Sequence, residues 1–131
     1  MKRNTALDFV AAINSRNVDT ICNLMTDNHL FIDSQGNKLA GKDTMKHAWQ
    51  GYFEMFPDYT IEIAETLENE NIIVLLGYAE ATYKNLKTEE NSKHWKVPAA
   101  FRAVIAENKI KLWQVYADNS PAFNIINKHH D

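Results

Sequence analysis

Cysteine is nearly absent from this chain. Cys22 is the single one among 131 residues, so no intramolecular disulfide can form, and a reducing cytoplasm is the expected home. Glycine and proline are scarce as well, at four and three residues. No Pro/Gly/Ser linker, internal repeat or low-complexity run appears, and no glycine-rich phosphate loop can be assembled from so few glycines. The longest apolar run, Ile72 to Gly77, is far too short to cross a bilayer, so no membrane partner is expected. Behind Met1-Lys2-Arg3-Asn4 there is no apolar stretch ending in a small-residue cleavage site, and no signal peptide is expected. A basic excess is missing too. Fourteen Lys and Arg stand against 17 Asp and Glu, the net charge is −3, and no basic stripe is visible, which argues against a nucleic-acid partner. No His/Cys/Asp/Glu set has metal-ligand spacing, so neither a metal nor an organic cofactor is expected.

What is present suits one globular domain spanning residues 1–131, with a hydrophobic fraction of 45% and a charged fraction of 24%. From about Thr5 to Ser15, the residues Leu7, Phe9, Val10 and Ile13 recur at helical spacing, with Asn4 as the N-cap. Asn17 is placed to cap a second short helix through Met25. Leu30-Phe31-Ile32-Asp33 reads as a short strand stopped by the turn Ser34-Gln35-Gly36-Asn37. A third helix begins near Gly41 or Lys42 and aligns Met45, Trp49, Tyr52, Phe53 and Phe56 on one broad face before Pro57 ends it. Everything afterwards reads as strand: Tyr59 to Glu65, Ile72 to about Tyr83, Trp95 to Ile105 and Lys109 to Asp118, with a polar hairpin loop from Lys84 to Lys93. Helices followed by an antiparallel meander give an α+β fold. Only a strongly bent sheet can cover three short helices, which predicts a cone-shaped α+β barrel open at one end.

Several segments, taken in order, carry a resemblance. They are Phe9-Val10-Ala11-Ala12-Ile13-Asn14, Asn17-Val18-Asp19, Leu30-Phe31-Ile32-Asp33 and Gly41-Lys42-Asp43. Trp49-Gln50-Gly51-Tyr52-Phe53, Phe56-Pro57-Asp58-Tyr59 and the closing Trp113-Gln114-Val115-Tyr116-Ala117-Asp118-Asn119 complete the set. Over nearly the whole chain this pattern resembles the SnoaL-like branch of the nuclear transport factor two superfamily, which includes ketosteroid isomerases, polyketide cyclases and limonene epoxide hydrolase. The resemblance implies the cone-shaped fold. It leaves the activity open, because one fold hosts many chemistries and many non-enzymes.

Two aspartates are the candidate catalytic residues. Asp33 shares a strand face with Phe31, and its position resembles that of the general-base aspartate of ketosteroid isomerases; a carboxylate in an apolar pocket has a raised pKa suited to proton shuttling. The alternative is a strand-end aspartate that accepts backbone N–H bonds from the following turn. Asp118 shares a parity with Ile110, Leu112, Gln114 and Tyr116, opposite to Lys111, Trp113, Val115 and Ala117. The resemblance to SnoaL-like cyclases implies an acid/base aspartate near here, facing the pocket; the alternative is a plain turn at Asp118-Asn119-Ser120-Pro121.

The isomerase analogy breaks at the oxyanion partners. That mechanism uses a tyrosine and a protonated aspartate, and the resemblance puts Phe9 and Ala99 at those positions, neither of which donates a side-chain hydrogen bond. The aspartate–arginine–aspartate set of limonene epoxide hydrolase is missing as well.

Trp49, Tyr52, Phe56, Trp95, Gln114 and Tyr116 are the expected ligand-binding residues of a mostly apolar pocket for a small organic molecule. His29 and His47 read as surface residues, His94 as a lesser candidate for the pocket mouth, and His129 and His130 as part of a polar tail. Cys22 reads as core. Three functions fit: a cofactor-independent isomerase, cyclase or hydratase; a non-catalytic binding module; or an assembly module. The late strands carry apolar residues on both parities, Val104, Trp113 and Val115 among them, so a homodimer through the outer sheet face is expected.

Overall fold

The three expected helices form, although the second ends at Asn23 and Met25 opens a strand. The computed structural model describes residues 2–84 and 94–129. Helix α1 (Lys2–Asn14) buries Phe9, Val10 and Ile13 along one stripe. It starts earlier than its apolar pattern suggests, so Asn4 lies inside the first turn and is not its cap. Helix α2 (Val18–Asn23) is capped by Asn17, whose side chain accepts a 3.1 Å bond from the Thr20 amide. Helix α3 (Lys42–Met55) follows Gly41, whose φ of 98° suits glycine, and stops before Pro57.

Six strands form one sheet: β1 (Met25–Ile32), β2 (Lys38–Ala40), β3 (Thr60–Asn69), β4 (Ile72–Thr82), β5 (His94–Ala106) and β6 (Lys109–Ala117). Their order is β2-β1-β6-β5-β4-β3. Every pairing is antiparallel except β1 with β6. This is the α+β cone: N-terminal helices held inside a strongly curved, mostly antiparallel sheet.

The register explains where the cone is filled and where it is hollow. Toward its narrow end the concave face carries Ile73, Leu75, Phe101 and Trp113, all 1% exposed or less. One row further on, Gly77, Ala99 and Ala117 are register partners. The short side chains of Ala99 and Ala117 leave volume on the concave face, and both line the cavity described below. At the same level β3 bulges between Ile63 and Glu65, and the β3 backbone crosses directly over Gly77. Bulge and glycine together bend the sheet. The edge strand β3 is tied to α1 by Asn14, whose amide donates to the Ile61 carbonyl (2.9 Å) and accepts from the Ile61 amide (2.8 Å).

Four expectations are corrected. Ser120–His129 is a helix, α4, so His129 belongs to a helix where a polar tail was expected. Proline at a second helical position such as Pro121 costs no internal hydrogen bond. A three-residue strand, β2, pairs with β1 between the expected turn and the third helix, where no element was expected.

The parity of β6 was read correctly but turned inside out. Trp113 faces the core, 4.8 Å from the Phe9 ring and 5.3 Å from that of Phe101, and is not part of an outer patch. Val115 shares its face, so Gln114 and Tyr116 point outward. Lastly, His29 is not on the surface. It is fully buried at an irregularity in β1, its Nδ1 2.8 Å from the Ile110 carbonyl oxygen. Most of the expected 84–93 hairpin loop, and His130, lie outside the described residues.

Candidate functional site: an aromatic cavity in the cone

The hollow level of the cone is a cavity of about 360 Å³. Three layers make it. Helix α3 contributes Met45, Ala48, Trp49, Tyr52 and Met55, and its C-cap residue Phe56 joins them. The sheet contributes Phe31, Ala79, Trp95, Ala99, Trp113, Val115 and Ala117. Helix α4 closes over the third side with Ala122, Phe123 and Ile126, and Phe123 remains 40% exposed.

Aromatic rings form a continuous wall. Tyr52 sits 5.0 Å from Phe56 and 5.0 Å from Tyr59, with Trp49 at 6.2 Å. Trp95 closes the series, 5.6 Å from Phe56 and 6.2 Å from Tyr59. Edge-to-face and tilted pairs at these distances are mutually attractive and hold the wall in one arrangement. Tyr59 is further fixed through its backbone, because the Arg16 guanidinium donates a 2.8 Å bond to its carbonyl.

Polar groups are few. Tyr52 and Tyr59 line the cavity, and their hydroxyls make no hydrogen bond among the described residues. Burial pushes both phenols well above their usual range, and the neighbouring Tyr52 adds to the shift at Tyr59. They therefore stay protonated and act as neutral hydrogen-bonding groups. The indole N–H groups of Trp49 and Trp95 are buried without a partner in the same wall, but they are sealed from solvent. At the rim lie Asp33, Ser34 and Asn119, and the Asn119 amide donates to the Ser34 hydroxyl at 2.9 Å, joining the β1–β2 turn to the start of α4.

The expected site residues divide between cavity and outside. Trp49, Tyr52, Phe56 and Trp95 line the cavity, and Asp33 lines its rim. Asp33 also does what its turn requires. Its Oδ1 accepts from the Gln35 and Asn37 amides, both at 2.9 Å, and its Oδ2 from the Asn37 side chain at 3.2 Å.

Gln114, Tyr116 and Asp118 do not line it. Tyr116 is 51% exposed on the convex face. Asp118 is exposed and accepts from the Ser120 hydroxyl (2.6 Å) and amide (3.0 Å) at the start of α4; these bonds hold its carboxyl below the usual range, the opposite of what a buried acid would show. The two carboxylates are not brought together in one cavity.

His94 stands exposed outside the cavity, its Nε2 3.1 Å from Glu80 and its Nδ1 3.0 Å from the Thr82 hydroxyl. His47 is exposed. Cys22 is buried, and desolvation pushes its thiol up, consistent with a packing residue. Among the described residues no cluster of three His, Cys, Asp or Glu is placed to hold a metal ion.

Sequence reasoning missed Tyr59 and the α4 residues as part of the wall. For Tyr59 a signal existed: it precedes Thr60 on the strand leaving Pro57, so its ring returns toward Tyr52. The α4 signal was the Ser120-Pro121 start, followed by Phe123 and Ile126 three residues apart.

Comparison with known proteins agrees with this architecture. A family model described as a SnoaL-like domain matches residues 6–113. No curated protein matches. Among solved structures, a Shewanella denitrificans protein assigned as a SnoaL-like polyketide cyclase superposes with a TM-score of 0.81 at 13% identity, covering 97% of each chain. IdmH of Streptomyces antibioticus, assigned as a polyketide cyclase, gives 0.79 at 13% identity, covering 97% of this chain and 99% of its own. A Catenulispora acidiphila protein with a ketosteroid isomerase-like fold, solved in complex with trimethylamine, gives 0.79 at 15% identity, covering 92% of this chain and 89% of that one. At such identities these structures speak for the fold alone. With the family model spanning most of the cone, from α1 to the Trp113 that closes its core, the chain belongs to the SnoaL-like family.

Proposed function

We propose that this chain is a binding module for a small, predominantly apolar organic molecule, held in the aromatic cavity with the phenols of Tyr52 and Tyr59 hydrogen-bonded to it. The observation that carries this reading is the wall itself. It is built almost wholly of apolar and aromatic side chains, Tyr52 and Tyr59 among them, with three polar residues at the rim. Pockets for small organic ligands have this composition and size. The trimethylamine complex of the Catenulispora protein supports the reading, since a protein of the same fold holds a small organic molecule.

A thermal-shift panel of neutral aromatic compounds tests it. A ligand at about a hundred times its Kd adds about 2.7 kcal/mol to stability. That corresponds to a rise in Tm of roughly 8–12 °C for a domain of this size. Ala99→Trp, which fills the row of small residues, should abolish the rise. If no compound shifts the wild type, or if Ala99→Trp shifts equally, the cavity is not a binding site.

A second reading, proton transfer on the bound molecule, is favoured by one observation: Asp33 lines the rim. It would then act without Asp118. Asp33→Asn should stop turnover of a bound compound while leaving its binding in place; turnover that survives the substitution removes this reading.

We also propose that two copies associate through the convex sheet face. The residues differ from those expected at first. Register rows Ile72–Val104–Leu112–Leu30 and Leu76–Ala100–Tyr116 place apolar residues on that face, on either side of the row Val74–Arg102–Gln114. Tyr78 and Leu67 add to them, 41% and 55% exposed. Exposed apolar residues gathered on one sheet face mark a contact surface. Sedimentation at micromolar concentration should show a dimer, and Leu76→Glu a monomer; a wild-type monomer refutes the association.

A further inference from the structure

We propose that the molecule bound in the cavity is a hydrophobic amine, its apolar body against the aromatic wall and its ammonium group at Asp33. This rests on the pocket reading above and narrows it to a ligand class.

The first argument is the charge inventory of the wall. Among the described residues that line the cavity, Asp33 is the one with a formal charge, and no lysine, arginine or histidine joins it. Asp33 forms no ion pair among the described residues, because its three hydrogen-bond donors are two backbone amides and the amide of Asn37. An anionic ligand would bring a second negative charge beside that carboxylate with nothing to offset either. A neutral ligand seated at the rim would strip water from the carboxylate and return no equivalent bond. An ammonium group returns a charge-assisted hydrogen bond.

The second argument is the preorganisation of that carboxylate. The turn amides of Gln35 and Asn37 both hold Oδ1, so the side chain is fixed before any ligand arrives. Oδ2 carries one long bond, 3.2 Å from the Asn37 amide, and retains capacity to accept another.

The third argument concerns the rings. Trp49, Tyr52, Phe56, Tyr59 and Trp95 form a connected wall that takes the apolar body of such a ligand, and the ammonium group is left to the rim.

The test uses three compounds on one skeleton: phenylbutylamine, phenylbutanol and phenylbutyrate, titrated calorimetrically into the full chain. The amine should bind about tenfold more tightly than the alcohol, and the carboxylate should not bind measurably. Asp33→Asn should bring the amine to the affinity of the alcohol and leave the alcohol unchanged. Because Asp33 also orders its turn, a second variant, Ala117→Lys, places a cation on the wall without touching that turn. It should abolish amine binding and admit the carboxylate.

Equal affinity for amine and alcohol, tightest binding of the carboxylate, or an equal loss of both ligands in Asp33→Asn overturns the amine assignment while the pocket reading stands. The same holds if none of the three binds although neutral aromatics raise the Tm. If neutral aromatics also fail, both readings fall together.

Discussion

Gly77→Ala should lower the stability of this domain by about 3 kcal/mol or more, and its Tm by roughly 10 °C. The reason is a backbone contact. A Cβ at Gly77 would lie 1.8 Å from the carbonyl oxygen of Glu62, 2.8 Å from its carbonyl carbon and 3.0 Å from the Ile63 Cα. None of these is the flexible end of a side chain, so relief requires moving β3 away from β4 along the bulge between Ile63 and Glu65. That bulge bends the sheet around the cavity, and a displaced β3 carries Tyr59 and the Asn14–Ile61 hydrogen bonds with it. The variant should therefore also lose ligand-induced stabilisation.

Gly51 supplies the control. It sits in the exposed interior of α3 with nothing within 4 Å of a built Cβ. There Gly→Ala should stabilise by up to about 1 kcal/mol, since alanine is the better helix former. The same substitution at two glycines is thus expected to have opposite signs. Chemical denaturation of both variants measures this, and a Gly77→Ala protein within 1 kcal/mol of wild type would show that the close approach of β3 is not structural.

Those two glycines also mark how far sequence reasoning reaches. The helices were legible because their apolar residues repeat every three or four positions, as with Met45, Trp49, Tyr52 and Phe56. The strand from Ile72 was legible as a short apolar run, Ile72 to Gly77, behind the polar turn residues Glu68 to Asn71. What failed was the choice of inside and outside on β6. Ile110, Leu112 and Tyr116 are as apolar as Trp113 and Val115, so parity separates two faces without saying which is concave. An apolar convex face removes the contrast that normally settles the question. That ambiguity moved Gln114, Tyr116 and Asp118 into a pocket they do not line. Asp33 was placed on the correct face because Phe31, two residues earlier, points the same way. Gly77 gave no warning beyond being a glycine inside an apolar strand, since its role depends on a crossing strand that only the fold brings near.

The irregularity in β1 concealed His29 by a related route. Buried positions along that strand are Met25, His29 and Ile32, spaced by four and three and not by two. A bulge interrupts alternation, so a histidine between Asn28 and Leu30 passes for a surface residue. Its burial has a consequence for acid stability. The Ile110 carbonyl accepts a hydrogen bond from Nδ1, which fixes the neutral tautomer with a bare Nε2. That Nε2 has no partner, and the Phe9 ring lies 6.3 Å away.

Protonation would set a charge in an apolar site. Desolvation accordingly lowers the pKa of His29, and the Ile110 hydrogen bond opposes only part of the shift. The folded pKa is then below the unfolded value of about 6.5. Between the two, the unfolded chain binds more protons than the native one, so stability rises with pH across that window. It should be fully present above about pH 6.5 and fall as the pH drops toward the folded pKa, by at most about 1.4 kcal/mol per unit.

Asp118 does not confuse the measurement. Its carboxyl is held below the usual range, so whatever it contributes is lost as the pH falls through its folded pKa, below the histidine window. His29→Gln is the informative variant, because a glutamine amide can still donate toward the Ile110 carbonyl but cannot titrate. It should cost about 1–2 kcal/mol at pH 7.5 through imperfect packing. Between about pH 6.5 and pH 4.5 its urea-unfolding stability should decline less steeply than that of the wild type. Parallel pH profiles for the two proteins would show that His29 either reaches water or finds a partner for Nε2 in solution, and the buried neutral imidazole would have to be abandoned.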